Sequence, residues 1–566
     1  MAEKSTRKHE ITCKVLILTG KTSERPSVSL GATKMSKPAS LVLAAGIAST
    51  LGSAALAAPP VIYNLGILPG GTQSSGTAVS HDATFVTGSA DVIVGASVIY
   101  HAFRWSIPSG MVDLGIPASV SFSSANSMDH AGLGVAGNGG NKLFRWTVSG
   151  GPQNLGLLPG AIGPGLATGM SGDTNIVVGW SGASDGNIYG VKWTSPGTMI
   201  ALPTLPGGTQ GNSAYGISSD GSIIIGGSSW TGSGYRAVRW LPGNIIQNLG
   251  ALPGATDSRA SAISKNNGVI VGDTQIPSGD RIFRYIGAMQ NLGTPSGTTA
   301  SYAYGTNYDG KVVTGRAKVG LNDYRAVYWS TNVGMTLLST YFTSLGGNLT
   351  GWELNQSFGV SNDGSAIAGT GKFNGETRAF LIKGLPCPST ATIVDGPIST
   401  AVCASPLSSA SLAMTIDAPG DVTYQWSVES PADSGVFEPI TGPFYADTSG
   451  LQFEVAGWEG PEITITGARA PAPVKEIRLL PFVNNPCGTV NSSVASIVLC
   501  RSDLTCDLVV DDADFVQFAS AYDALTCPGG TPGQPDFCPG DLNQDNQVDD
   551  ADFVLFAAAY DALLCV

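Results

Sequence analysis

The 566-residue sequence predicts a mainly all-β protein in three parts: a seven-bladed β-propeller-like repeat array over 58–385, a β-sandwich over 386–499, and a small α-helical duplicated module over 500–566. Three observations carry this division. A short aromatic string recurs seven times in the first part, apolar residues alternate with period two in the second, and an aspartate-rich block is duplicated in the third.

Only 13% of the residues are charged, whereas the chain holds 75 Gly and 34 Pro, a composition of short strands and turns rather than long helices. From Asp503 onward there are thirteen Asp and no Lys, Arg or Glu, so this segment alone accounts for the net charge of −13. That footprint excludes nucleic acid as a partner, because affinity for phosphates comes from Lys and Arg. It favours a cation bound in the tail.

The first residues read as a leader. Lys37 precedes the apolar run Leu41–Ala48 and small residues lead to Ala55-Leu56-Ala57, the order of a signal peptide over 35–57. Residues 1–34 are then an upstream extension. Cleavage before Ala58 implies a secreted or cell-surface protein, with no other segment apolar enough to span a bilayer. Of nine cysteines, eight fall between Cys387 and Cys565, an even number that suits disulfides in an exported chain.

Within the array, Asn-Leu-Gly-x-Leu-Pro-Gly stands at 64–70, 154–160 and 248–254, with fragments at Asp113, Leu205 and Asn291. The second string is Ala102-Phe103-Arg104-Trp105, with copies ending at Trp146, Trp193, Trp240, Tyr285, Trp329 and Ile382, spaced 41 to 53 residues apart. Between them, pairs of apolar runs flank turns such as Ser219-Asp220-Gly221, where Asp-Gly supplies the positive φ of a hairpin. Four short strands per repeat is the pattern of a propeller blade, and a parallel solenoid would have a shorter period. Because Asn64-Leu65-Gly66 precedes the first aromatic string, the N-terminal segment is expected to complete the last blade. The once-per-repeat tryptophans are expected in the core. The strings resemble the extracellular HAF-repeat family, whose name-giving His-Ala-Phe is present as His101-Ala102-Phe103. The resemblance implies an exported bacterial protein with a propeller-like array and no settled activity.

In the middle part, Ala410, Leu412, Met414 and Ile416 alternate with smaller residues. The string Tyr424-Gln425-Trp426 resembles strand C of an immunoglobulin-like sandwich, with Trp426 as its core residue. No cysteine lies between 404 and 486, so the usual cross-sheet bridge is excluded, and Cys403 is expected to pair with Cys487 instead.

The tail repeats at an offset of 38, with fifteen of the eighteen residues from 510 to 527 identical to those from 548 to 565. Its second copy places Asp541, Asn543, Asp545, Gln547 (through its carbonyl), Asp549 and Asp552 at positions 1, 3, 5, 7, 9 and 12 of a loop. Those are the hard oxygen ligands calcium requires. The first copy offers Asp503, Thr505, Asp507, the Val509 carbonyl, Asp511 and Asp514, with Leu508 where Asn546 stands in the second. Leu tolerates a sharp turn poorly, so the second site should bind more tightly. A loop followed by one helix, twice over, resembles a type I dockerin. The resemblance implies a cohesin-like or other cell-surface protein as partner, chosen by positions 10 and 11, here Asp512-Ala513 and Asp550-Ala551. Cys500 with Cys527 and Cys538 with Cys565 are expected to clamp each loop to the end of its helix.

No metalloprotease helix or serine elbow occurs, and acidic residues are too sparse in the array to nominate paired carboxylates, so no catalytic residue is named. The expectation is an exported non-catalytic binding or scaffold protein that docks through calcium. The alternative is a polysaccharide-degrading enzyme tethered by the same tail.

Overall fold

A computed structural model describes residues 58–566, leaving out 232–233, 389–390, 404–407, 419–421, 470–475, 525–539, 544–546 and 563–566 and the single positions 433, 449, 486, 506 and 508. The leader and the extension before it lie outside the described residues.

Six four-stranded antiparallel sheets follow one another along 74–113, 123–156, 165–201, 212–250, 257–293 and 300–337, each built from four consecutive strands. The seventh is assembled from both ends of the array. Trp352–Val360, Ile367–Phe373 and Glu376–Lys383 supply three strands, and Val61–Asn64 adds the fourth, Val61 opposite Lys383 and Asn64 opposite Phe380. The innermost strands touch their neighbours all the way round, and Ser74–Val79 packs on Trp352–Val360. The array is a closed seven-bladed β-propeller, joined where the sequence places the join. Helix α1 (Leu338–Ser344) lies between the sixth and seventh blades and buries Leu338, Tyr341 and Phe342.

The recurring strings are the seams of this ring. In Asn-Leu-Gly, the Asn64 side chain accepts the Gly66 amide at 3.0 Å, and Asp113, Asn154, Asn248 and Asn291 repeat the bond. Gly66 and its counterparts at 115, 156, 250 and 293 sit at φ between 76° and 84°, which only glycine adopts without strain. A buried serine then opens the next blade. The Ser74 hydroxyl donates to the Gly66 carbonyl at 2.6 Å and accepts the Ala379 amide at 3.0 Å, bridging the first and seventh blades. Ser123, Ser258 and Ser301 do the same, and Asn212 replaces the serine in the fourth blade. Trp105, Trp193 and Trp240 are buried between blades and Trp146 and Trp329 pack, part-buried, against two further clusters, so the tryptophans are core residues.

Residues 391–500 form a small two-stranded sheet, Thr392–Asp395 with Thr415–Asp417, and two facing sheets. One runs in the order Thr400–Cys403, Ala495–Cys500, Glu476–Asn485, Thr423–Glu429, Phe437–Pro439; the other contains Ser409–Ala413, Glu462–Arg469, Gln452–Ala456 and Phe444–Ala446. Trp426 is fully buried between them and its indole donates to the Gly460 carbonyl at 2.9 Å. The expected Cys403–Cys487 pairing is overturned, because Cys487 is bonded to Cys387 across a Cα separation of 5.2 Å. Cys487 sits in the hairpin between Glu476–Asn485 and Gly488–Asn491, facing the segment that has just left the last blade. Cys403 stands instead in register with Cys500 on a neighbouring parallel strand. Cys500 is disulfide-bonded, and Cys527, Cys538 and Cys565 lie outside the described residues. Among the described residues no helix is long and apolar enough to cross a membrane.

Replacing Ser74 with Ala should break two bonds at the closing seam and lower stability by roughly 1–3 kcal/mol, since a buried amide and carbonyl lose their partner. Urea unfolding of the variant should show an earlier midpoint than that of Ser109→Ala, an exposed serine, and equal midpoints would contradict the seam assignment.

Candidate functional site

Each innermost strand carries at least one extra residue. Register shifts leave Thr77, Asn126, Thr168, Tyr215, Ser261, Tyr304 and Phe358 unpaired at corresponding places in the seven blades, and the seventh has a second shift at Asn355. A bulge re-aims its side chain, and here the bulged residues face the axis of the ring. Three of them also join blades: Thr77 donates to the Ala125 carbonyl at 2.9 Å, Asn126 to Ala167 at 3.1 Å and Thr168 to Ala214 at 3.0 Å. Opposite each bulge the second strand has a glycine (88, 137, 179, 226, 272, 315 and 369), and a Cβ there would collide with the inner strand's carbonyl. Glycine is present because the bulge pushes backbone against backbone.

The bulges leave a cavity of about 570 Å³ lined by Thr77, Asn126, Tyr215, Ser261, Tyr304 and Phe358, together with Asp257, Arg259, Asp273, Gln275, Asp280 and Tyr302. The fifth blade supplies most of its charge. Asp257 and Arg259 lie on its first strand, Asp273 and Gln275 on its second and Asp280 on its third. Register places Asp273 beside Arg259, and Gln275 beside both Asp257 and Asp280. Arg259 pairs with Asp257 at 3.3 Å, and the Tyr302 hydroxyl donates to Asp280 at 2.7 Å. Burial raises the Asp273 carboxyl to about 7, with the charges of Asp280 and Asp257 adding to the rise and Arg259 opposing it. Burial likewise raises the Tyr304 phenol to about 12. The Tyr304 and Phe358 rings stack at 4.7 Å, and Arg316 lies 4.1 Å over Tyr324 and 5.6 Å over Tyr304. The cavity therefore joins carboxylates to an aromatic wall.

The hairpin turns surround the other end of the axis. His81 donates its amide to the His130 carbonyl, Gly172 to Ser219, Tyr308 to Asn362, and Asn362 back to His81 across the closing seam. The His81 and His130 rings stack at 4.0 Å. Asp82, neighbour of His81 in sequence, accepts from Ser80 and Thr84 within its own turn, so the His-Asp pair is structural.

The tail forms two matching loop–helix halves, α2 (Asp512–Ala524) and α3 (Asp550–Ala562), packed through Phe518 on Phe556 at 4.7 Å. Asp514 is fully buried and accepts the amides of Thr505 and Asp511, and Asp552 does the same for Asn543 and Asp549. Carboxylate oxygens of Asp503, Asp507 and Asp514 come within 4.8 Å of one another. Val509 is exposed, and Asp541, Gln547 and Asp511 lie on the loops as the sequence orders them. Asp545 falls outside the described residues. Asp512 and Asp550, expected to face a partner, accept hydrogen bonds from Tyr560 and Tyr522 of the opposite half. Ala513 and Ala551 are exposed.

Sequence reasoning passed over the acidic wall, although one signal was available. The residue after the second-strand glycine differs in every blade: Ser89, Asn138, Trp180, Gly227, Asp273, Arg316 and Thr370. A group whose folded pKa is raised binds its proton more tightly in the native state. Asp273 should therefore lower stability as pH climbs from about 4, the free carboxyl value, to about 7. Thermal melts of wild type and Asp273→Asn across that range should diverge, the variant losing less; parallel curves would contradict the assignment.

A scan against protein-family models finds no match, and no curated protein matches the chain. A solved structure of TolB from Acinetobacter baumannii is similar at a TM-score of 0.32 and 13% identity, over 53% of this chain and 81% of that one. That likeness is too distant to carry a ligand or partner across.

Proposed function

We propose that this is an exported, non-catalytic binding protein. Its propeller takes a ligand at the axis, its sandwich is a spacer, and its tail docks through calcium to a cohesin-like or other cell-surface protein. The observation that supports the tail's role is the convergence of Asp503, Asp507 and Asp514, with Asp514 buried. Three carboxylates this close repel strongly unless a cation sits among them, and calcium prefers such oxygen-rich loops. Asp503, Thr505, Asp507, the Val509 carbonyl, Asp511 and Asp514 would hold one ion. Asp541, Asn543, Asp545, the Gln547 carbonyl, Asp549 and Asp552 would hold the other. Bound calcium would neutralise both loops and fix their entry into α2 and α3. Export is supported by the leader and by the Cys387–Cys487 bridge, since such bonds persist in oxidising compartments.

A second reading has one observation in its favour. Asp273, held near neutral pKa beside two further carboxylates, has the makings of a general acid for glycoside hydrolysis. Release of reducing ends from a polysaccharide panel, abolished by Asp273→Asn, would replace the non-catalytic reading.

Calcium titration by calorimetry should give two sites, the tighter one lost in Asp552→Ala and the weaker in Asp514→Ala. EDTA should speed proteolysis within 500–566 several-fold while the propeller stays intact. Absence of calcium heat, or cleavage indifferent to EDTA, would end the docking proposal.

A further inference from the structure

The axial cavity has two unlike walls. On one, the fifth blade presents Asp257, Asp273 and Asp280 to a space that also holds Arg259. On the other, Tyr304 and Phe358, both part-exposed, offer stacked aromatic surface inside the ring. The cations nearby are already engaged. Arg259 pairs with Asp257, and Arg316 lies over the faces of Tyr302, Tyr304 and Tyr324. Asp280 accepts the Tyr302 hydroxyl but, like Asp273, forms no ion pair among the described residues, and both carboxylates line the cavity where a cation can meet them. Neutral donors and acceptors at Thr77, Asn126, Ser261 and Gln275 line the rest.

An acidic wall beside an aromatic one suits an amphipathic cation, whose charged head meets carboxylates while its methylene stem lies on the rings. We propose that the axial cavity binds an aliphatic ammonium group on an apolar stem, as carried by a lysine side chain or a free polyamine. This rests on the reading of the propeller as a binding domain and names its ligand class. A sugar would use the neutral groups but would leave the excess carboxylate charge unmatched. An anion is repelled.

Protonation is linked to this binding. The groups facing Asp273 are Asp257 and Arg259 on its neighbour strand, Asp280 on the next, Ser261 at the bulge, and Tyr215, Tyr302 and Tyr304 on adjoining blades, with Arg316 behind the tyrosines. An ammonium group favours the ionised form of Asp273. Because that carboxyl titrates near 7 and lysine near about 10.4, affinity should rise about tenfold between pH 6 and pH 8.

The test is calorimetry on residues 58–566 with three acetylated, amidated tripeptides, Gly-Lys-Gly, Gly-norleucine-Gly and Gly-Glu-Gly, and with spermidine and cellotetraose. The lysine peptide should bind at least tenfold more tightly than its norleucine counterpart, with the stated pH rise. Asp273→Asn and Asp280→Asn should each weaken it about tenfold while melting cooperatively, and Asp273→Asn should remove the pH rise. Phe358→Ala should weaken lysine and norleucine peptides alike. Spermidine binding without the peptide would assign the cavity to a free polyamine, and the reverse to a polypeptide; either supports the ammonium class. Preference for norleucine, glutamate or cellotetraose would overturn the class yet keep the propeller a binder. No binding by any arm would overturn the proposal, and hydrolysis of cellotetraose would remove the binding reading itself.

Discussion

Everything in the larger part of this protein depends on closing the ring. Seven sheets, each with an open edge, become one body because Val61–Asn64 pairs with Glu376–Lys383, joining residues more than three hundred positions apart in the chain. The join then uses the same chemistry as the seams opened by Ser123, Ser258 and Ser301. Leu65 donates its amide to the Ala379 carbonyl, and Ser74 ties that strand to the Gly66 carbonyl. Such a closure leaves the blades only short edges and packs the inner ones against one another. It also makes the axial cavity possible, since its lining comes from blades one, two and four to seven and assembles only in the closed ring. The Cys387–Cys487 bridge then fixes the sandwich just beyond the last closed strand.

The ring was legible in the sequence wherever the physics is local. Asn-Leu-Gly announces a turn because Asn accepts from its own second neighbour and Gly adopts positive φ, and both follow from residue chemistry without reference to the rest of the fold. Ser-x-Asp-Gly is equally local. In the Ser218 turn the hydroxyl donates to Asp220 while accepting the Ile223 amide, a pattern repeated from blade to blade. Trp240 declared itself as core by its spacing, and it is buried between the third and fourth blades. The N-terminal contribution to the last blade followed from phase alone, because the first seam string precedes the first aromatic string.

What was illegible is what depends on register. A bulge shows no composition of its own, and Thr77, Asn126 and Phe358 have no shared side-chain property; only the glycine across the strand reports them, and that glycine is required by a backbone contact. The acidic wall is hidden for a related reason. Asp257, Asp273 and Asp280 are scattered along the chain and look like ordinary strand-end polarity until three strands align them. The disulfide depends on tertiary placement too: Cys403 is the partner expected for Cys487 from sequence, and it is the approach of Cys387, just past the last blade, that decides the bond. In the tail, duplication made the loops readable. The cross-bonds of Tyr522 and Tyr560 to Asp550 and Asp512 needed the two halves brought together.

The two ends of the molecule divide the work differently. The tail holds its charge in two local loops, and the propeller holds its charge inside a ring whose order comes from closure. Ring closure can be measured without a ligand, by native-state hydrogen exchange at Tyr63 and Leu65, whose amides point at the Glu376–Lys383 strand. If these amides open only with the whole propeller, their exchange free energies will match those of Val178 and Ile225 in the interior blades. Exchange of the closing strand at a free energy several kcal/mol below those blades would show a ring that opens on its own, and would contradict the account.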